Sequence, residues 1–213
     1  MSTERCAIRG LYAITPDIAD THRLQSLVQL AIDGGLTLLQ YRAKTLPLPL
    51  RQAQAQALTA QCASQNVTFI VNDDAALAQA CGAAGVHLGR DDDPLESLEP
   101  VGGKRSLLVG VSCYDSLPRA ERAEASGADY VAFGSMFPSS TKPDAVQPPL
   151  SLLGEAKRRL RVPVVAIGGI TLSRMDQLRN AGVDAVAVIT ALFDAPDIKK
   201  AAQQFNAYFE ETP

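Results

Sequence analysis

Short apolar, β-rich runs recur along the whole chain, at 11–15, 36–41, 67–71, 85–88, 107–112, 129–134, 162–167 and 184–189. Most are nearly continuous rather than alternating. That is the pattern of strands buried on both faces, as in a parallel sheet covered by helices. Helical patterns lie between them, at 22–33, 50–64, 75–81, 117–126, 150–160, 172–181 and 198–209. Each tends to begin near a polar residue or a proline and to end at a glycine, the expected start and stop signals. The steps Asp33-Gly34-Gly35-Leu36, Ala84-Gly85-Val86, Ser126-Gly127-Ala128-Asp129 and Ala181-Gly182-Val183-Asp184 all set a glycine immediately before a strand. Tight αβ turns of this kind need positive φ, which glycine adopts without a Cβ clash. Eight strand–helix units with no Pro/Ser-rich linker predict an α/β protein, a single (β/α)8 TIM barrel over residues 1–213 with a short lead-in at 1–10. A doubly wound open sheet is the alternative, though it usually has fewer strands at this length.

Composition narrows the picture without changing it. At 213 residues the chain is at the short end for such a barrel, for which roughly 250 is typical and about 200 the lower limit. Twenty Lys+Arg against 23 Asp+Glu leave a net charge of -3, so no general surface for nucleic acid or anionic membrane is expected. A locally basic pocket for one phosphate remains compatible with that balance. Cys6, Cys62, Cys81 and Cys113 show no C-x-x-C spacing for zinc or redox work. The first ten residues carry Glu4, Arg5 and Arg9 without an apolar h-region, and no apolar run approaches the ~20 residues that span a bilayer. The expectation is a cytoplasmic protein with reduced thiols.

A barrel of this type carries its chemistry at the C-terminal ends of its strands. The second strand runs into Gln40-Tyr41-Arg42-Ala43-Lys44, where the i, i+2, i+4 spacing sets Gln40, Arg42 and Lys44 on one face. An amide, a guanidinium and an ammonium together suit a multiply charged oxyanion, with a solvated basic strand end as the bland alternative. The third strand ends in Asn72-Asp73-Asp74 and the fourth in His87-Leu88-Gly89-Arg90-Asp91-Asp92-Asp93. Carboxylates from neighbouring strand ends can cradle Mg2+, which takes oxygen ligands and shares them with phosphates. Asp74 reads better as the cap of the following helix, the run 91–93 could be a solvated loop, and Asp73 and Asp92 are the metal candidates. Ser112 could donate to a phosphate or merely cap a helix. The sixth strand leads into Ser139-Ser140-Thr141-Lys142, a phosphate contact or a bland Ser/Thr turn. The seventh ends in Gly168-Gly169 and the eighth in Ile189-Thr190, the two places where many β/α barrels hold a phosphate on backbone N–H groups. His87 reads as a packed, hydrogen-bonded histidine and His22 as surface. No Ser-His-Asp set, nucleophile elbow or zinc-spaced histidines are present.

Taken in order and spacing, these stretches resemble the thiamine phosphate synthase family over residues 11–193. The matching pieces are Leu11-Tyr12-Ala13-Ile14-Thr15, Gln40-Tyr41-Arg42-Ala43-Lys44, Val71-Asn72-Asp73-Asp74, Gly85-Val86-His87-Leu88-Gly89, Gly110-Val111-Ser112, Thr141-Lys142 and Ala166-Ile167-Gly168-Gly169-Ile170. The resemblance implies condensation of 4-amino-2-methyl-5-hydroxymethylpyrimidine diphosphate with a thiazole phosphate, giving thiamine phosphate and pyrophosphate. It implies that Gln40, Arg42, Lys44, Asn72, Ser112 and Lys142 hold the pyrimidine diphosphate, and that Asp73 and Asp92 hold Mg2+. It further implies that Ser139, Thr141, Gly169, Ile189 and Thr190 hold the thiazole phosphate, and that Lys142, Arg42 and Lys44 act in catalysis. The partners implied are these two small molecules, with no nucleic acid and no membrane; a homo-oligomer is compatible with the sequence. Ser139 stands where the family often has Thr and Thr190 where it often has Ser, each keeping a hydroxyl. Tyr114 stands where many relatives have His.

The rivals are a thiazole tautomerase on a related barrel, which needs a proton-shuttling His at the position of Tyr114, and a non-catalytic phospholigand-binding barrel. Keeping Gln40, Arg42, Lys44, Asp73 and Asp92 while lacking that His favours the synthase over the tautomerase, and the intact metal pair argues against the binding barrel. On this reading Lys142→Ala and Asp73→Ala are each expected to lower turnover by about two orders of magnitude or more, the scale of one lost electrostatic contact to a developing charge. Steady-state rates near those of the wild type in both variants would remove the clamp from the chemistry.

Overall fold

A computed structural model of the chain describes residues 8–89, 107–138 and 146–210. Each apolar run becomes a strand: β1 (Gly10–Ile14), β2 (Leu38–Tyr41), β3 (Thr68–Asn72), β4 (Gly85–Leu88), β5 (Leu108–Tyr114), β6 (Tyr130–Phe133), β7 (Val164–Ile167) and β8 (Ala185–Val188). All pair in parallel in sequence order, and β8 returns to β1 with Gly10 opposite Ala185 and Tyr12 opposite Ala187. The sheet is therefore a closed barrel, and the open doubly wound alternative is excluded. Closure leaves no strand edge without a hydrogen-bonding partner.

The two faces of each strand serve different cores. On β1, Leu11 and Ala13 point outward to the helices while Tyr12 and Ile14 fill the barrel; on β8, Val186 and Val188 face out and Ala185 and Ala187 face in. This period of two, with both faces apolar, is why the runs look continuous in sequence. The interior is narrow, so the large inward residues Tyr12 and Tyr130 are matched by the small Ala132, Ala185 and Ala187. Gly110, between His87 on β4 and Tyr130 on β6 in the register, leaves room for the Tyr130 ring; a Cβ there would overlap it.

The outer ring consists of α1 (Thr21–Asp33), α2 (Leu48–Ala63), α3 (Ala75–Cys81), α4 (Leu117–Ala125), α5 (Ser151–Arg159), α6 (Met175–Asn180), α7 (Thr190–Phe193) and α8 (Ile198–Glu210). Asp20, Asp74 and Ser116 cap α1, α3 and α4, each accepting from the backbone N–H three residues on, which satisfies an otherwise orphaned donor. The helical pattern at 172–181 opens with a tighter 3-10 turn over Leu172–Arg174 before α6. The four-residue α7 has no counterpart in the periodicity, because one turn is too short to show a period. No helix among the described residues is long and apolar enough to cross a membrane. Cys62, Cys81 and Cys113 are free thiols, and burial pushes both Cys62 and Cys113 up to about 12.

The C-terminal helix α8 closes the ring against α1. Asn206 donates to the Gly35 carbonyl (2.9 Å) and accepts from the Leu11 amide (3.4 Å). Gly34 lies in this contact: a Cβ there would sit 2.7 Å from Ala202 Cβ and closer still to the Lys199 carbonyl. Gly34→Ala must therefore push α8 off α1, an overpacking that costs about 2 kcal/mol. The expected result is a lower urea midpoint with an unchanged slope; an unaltered midpoint would show that the helix gives way freely.

Candidate functional site

At the C-terminal ends of the strands the barrel opens into a cavity of about 560 Å3. Gln40, Arg42, Lys44, Asn72, Asp73, Ser112, Gly169, Ile189 and Thr190, all expected from sequence, line it together. Asp92, Ser139, Thr141 and Lys142 lie outside the described residues. The lining is two-sided. Polar and charged groups come from the ends of β2 to β5, whereas Val165, Ile167, Gly168, Ala187 and Ile189 from β7 and β8 make an apolar wall.

The cationic side is held by its backbone. β2 ends at Tyr41, and the extended segment continues because the Arg42 amide donates to Thr15 Oγ1 (2.9 Å) at the end of β1. Asp17 Oδ2 then accepts from the amides of Lys44 (2.9 Å) and Thr45 (3.0 Å). Two short side chains of the β1 loop thus fix where Arg42 and Lys44 leave the strand. Lys44 Nζ pairs with Asp73 Oδ2 at 2.9 Å; the lysine is 54% exposed, so the pair adds little stability and is free to exchange partners. No ion pair among the described residues engages Arg42.

Asp74 does what its position suggested, accepting from the Leu77 amide at 2.8 Å as the cap of α3. Asp73, its neighbour, faces the cavity with a φ of 65°. Tyr114, at the end of β5, has a φ of 57°. Left-handed backbone is costly for a residue with a ring, and such strain gathers at functional sites. Arg119 from α4 steadies this corner: Nε donates to the Ser112 carbonyl (2.8 Å), Nη2 donates to the Gly89 carbonyl (2.9 Å), and the guanidinium lies 5.9 Å from the Tyr114 ring centre. Tyr114 was marked in the sequence only as a replacement for the family's His, and Arg119 was not separable from an ordinary helix residue.

The paired glycines after β7 have φ values of 99° and 60°. Their missing side chains first serve the protein itself, since a Cβ on Gly168 would meet Ser135 and one on Gly169 would meet the Phe137 and Pro138 carbonyls. The Met136 amide donates to the Ile167 carbonyl (2.9 Å) and the Phe137 amide to the Gly168 carbonyl (3.0 Å), locking the loop after β6 against this turn. Thr190 begins α7, directly after Ile189.

Under the cavity lies a set of groups that sequence reading missed as a set. Tyr12, Tyr130, His87 and Ser112 join Gln40 in consecutive hydrogen bonds. Burial raises both phenols far above their usual range and pushes the His87 imidazole down to about 4, with Asp73 opposing that shift in part. His87 is therefore a packed, hydrogen-bonded histidine, as expected.

The protein-family model described as thiamine monophosphate synthase matches residues 11–192. Thiamine-phosphate synthase from Thiobacillus denitrificans is 48% identical over 96% of this chain and 96% of its own length. The Azoarcus protein of that name is 52% identical over 95% and 98%. Among solved structures, thiamine phosphate pyrophosphorylase from Pyrococcus furiosus superposes with a TM-score of 0.82 at 34% identity, covering 95% of this chain and 96% of the other.

The unfolded chain carries an ordinary histidine of pKa 6.5, while the folded one binds that proton only near pH 4. Between those values the unfolded state holds more protons, so stability is lost as pH falls through the window, by on the order of 3 kcal/mol in all. Urea midpoints followed from pH 7 to 4 are expected to fall more steeply in the wild type than in His87→Gln. Parallel slopes would mean that the imidazole does not titrate this way.

Proposed function

Since the chain belongs to the thiamine monophosphate synthase family, and is thus an enzyme of thiamine biosynthesis, we propose that it joins an aminopyrimidine methyl diphosphate to a thiazole phosphate. The C–O bond to the diphosphate breaks with its electron pair leaving on pyrophosphate. The ring-stabilised methylene cation is then captured by the lone pair of the thiazole nitrogen. No proton changes hands in that sequence, which accords with a cavity whose imidazole is neutral and bonded at both nitrogens.

The observation that carries the reading is the division of the cavity. Arg42, Lys44, Asn72 and Ser112 converge from β2, β3 and β5 on one side, and an apolar wall faces them. The charged side suits a leaving diphosphate, and the apolar side suits two flat heterocycles held face to face with water excluded. Lys142, from the segment after β6, completes the clamp in this proposal. Ser139, Thr141, Gly169, Ile189 and Thr190 take the thiazole phosphate. Asp73, with Asp92, would hold Mg2+, which takes a carboxylate or two and fills its remaining positions with substrate phosphate oxygens and water. The metal would supply neutralisation of the leaving group. Among the described residues Asp73 fits that duty: its carboxylate is at the cavity, and its lysine partner is exposed and exchangeable.

A tautomerase is disfavoured by Tyr114. It stands in the cavity where a proton-shuttling imidazole would be needed, and the chain's other histidine, His22, is exposed on α1. The test is to mix both substrates with the protein, with and without Mg2+, and look for thiamine phosphate by mass. Product is expected only with both substrates and metal present, and Arg42→Met should lower kcat by about a hundredfold. Absence of product while both substrates bind would turn the reading toward a binding protein.

A further inference from the structure

Five strands contribute to one unbranched hydrogen-bond chain through the barrel. Gln40 on β2 contacts Tyr12 on β1 (2.8 Å), Tyr12 contacts Tyr130 on β6 (2.8 Å), Tyr130 contacts His87 Nδ1 on β4 (3.0 Å), and His87 Nε2 contacts Ser112 Oγ on β5 (2.9 Å). Its two ends, Gln40 and Ser112, line the cavity, as do Tyr12 and His87, and Tyr130 lies behind them. The middle members are buried, with Tyr12 at 1%, Tyr130 at 0% and His87 at 7% exposure. No other hydrogen bond reaches those three side chains among the described residues.

Such a chain has few proton arrangements. Each phenol carries one hydrogen, and a neutral imidazole carries one N–H. Gln40 Nε2 donates to Tyr12 Oη. The Tyr12 hydrogen then has one acceptor, Tyr130; the Tyr130 hydrogen must go to His87 Nδ1; and the imidazole hydrogen sits on Nε2, pointing at Ser112. Ser112 accepts there, so its own hydrogen is left for the cavity. Any mixed order strands a phenol hydrogen inside the barrel, at a cost of about 1–3 kcal/mol. A doubly protonated imidazole strands one too, because both its nitrogens donate. The fully reversed order requires the Gln40 amide turned over, and it would tie up the Ser112 hydrogen on His87.

We propose that Tyr130, linked through Tyr12 and His87, is a positioning residue that sets this polarity, holding Ser112 as a hydrogen-bond donor and the Gln40 carbonyl as an acceptor toward the substrate. A diphosphate oxygen only accepts and an exocyclic ring amine donates, so the two ends match the two halves of an aminopyrimidine diphosphate; this matching rests on the function proposed above. Gly110 makes the device possible, because only a residue without a side chain lets the Tyr130 ring cross β5 to His87.

The chain's two histidines make the polarity directly observable. In the full-length protein labelled with 15N-histidine, His87 is expected as the Nε2–H tautomer, with a lone-pair shift at Nδ1 and a proton-bearing shift at Nε2; exposed His22 serves as the internal reference. The Nδ1–H tautomer, or an imidazolium at neutral pH, overturns the proposal. Tyr130→Phe releases His87 to either tautomer, so Ser112 gives part of its hydrogen to Nε2. Pyrophosphate binding, measured with Mg2+ by calorimetry, should then weaken by about tenfold. In a Ser112→Ala background the same change should have no further effect, whereas a merely structural role predicts equal losses in both backgrounds and would overturn the proposal. Should Tyr130→Phe fail to fold, Tyr12→Phe is read instead by tautomer: it leaves the Tyr130 hydrogen only His87 Nδ1 to bond, so His87 should keep the Nε2–H form, and a switch to Nδ1–H overturns the proposal. Pyrophosphate that does not bind the wild type counts against the diphosphate reading, while the tautomer still decides the polarity.

Discussion

An eight-stranded barrel must fill its own interior, and here it does so with two tyrosines that are almost wholly buried. Burying an unpaired phenol costs enough to matter in a fold of this size. Tyr12 and Tyr130 meet each other, and each finds one more partner, Gln40 and His87. That requirement propagates. It calls for a glycine at 110 to let one ring cross a strand, small residues at 132, 185 and 187 to admit both rings, and a neutral imidazole at 87. The packing of the core and the proton arrangement at the floor of the cavity are thus one constraint seen from two sides.

The rim above this floor is arranged by different means. Its cations are not buried and need no desolvation, so their placement rests on backbone anchors: Thr15 and Asp17 fix the exit of β2, and Arg119 ties the ends of β4 and β5. The result is a buried, hydrogen-bonded floor, whose hydrogens the proposed order would fix, beneath charges on long side chains. Electrostatic stabilisation of a leaving group needs both, since donors that do not reorient contribute most, while mobile cations can follow the departing charge.

The fold was legible because the strands are apolar on both faces and four αβ turns carry a glycine, at Gly35, Gly82, Gly127 and Gly182, while Asn66 takes the positive φ before β3. Its errors were local. The apolar Leu36 and Val162 extend the runs at 36–41 and 162–167 backward into turns, so β2 and β7 start two residues later than hydropathy suggests. β5 continues instead to Tyr114, past a register shift between Ser112 and Tyr114. In the site, Gln40, Arg42 and Lys44 could be grouped because strand alternation carries on beyond the last ladder bond, and Asp74 could be separated from Asp73 by its place before a helix. Tyr12 and Tyr130 could not be grouped. An aromatic residue inside an apolar run looks like any core residue, and only the closing of β1 onto β8 brings two residues so far apart in sequence to 2.8 Å. The glycines at 168 and 169 were read as room for an anion, yet their tightest neighbours are the chain's own segment at 135–138.

Neutrality at His87 and positive charge at the mouth belong together. In the proposed reaction, a second cation beneath the diphosphate would strengthen binding of substrate and of released pyrophosphate alike, and uniform binding of that kind does not speed the chemical step. A hydroxyl donor held at that place by a neutral chain adds direction without adding net charge. Lys44 pairs with Asp73, so part of the mouth's positive charge is balanced within the protein. In the proposed reaction a diphosphate would compete with Asp73 for Lys44, which is how a local cationic site can operate on a chain whose overall charge is -3.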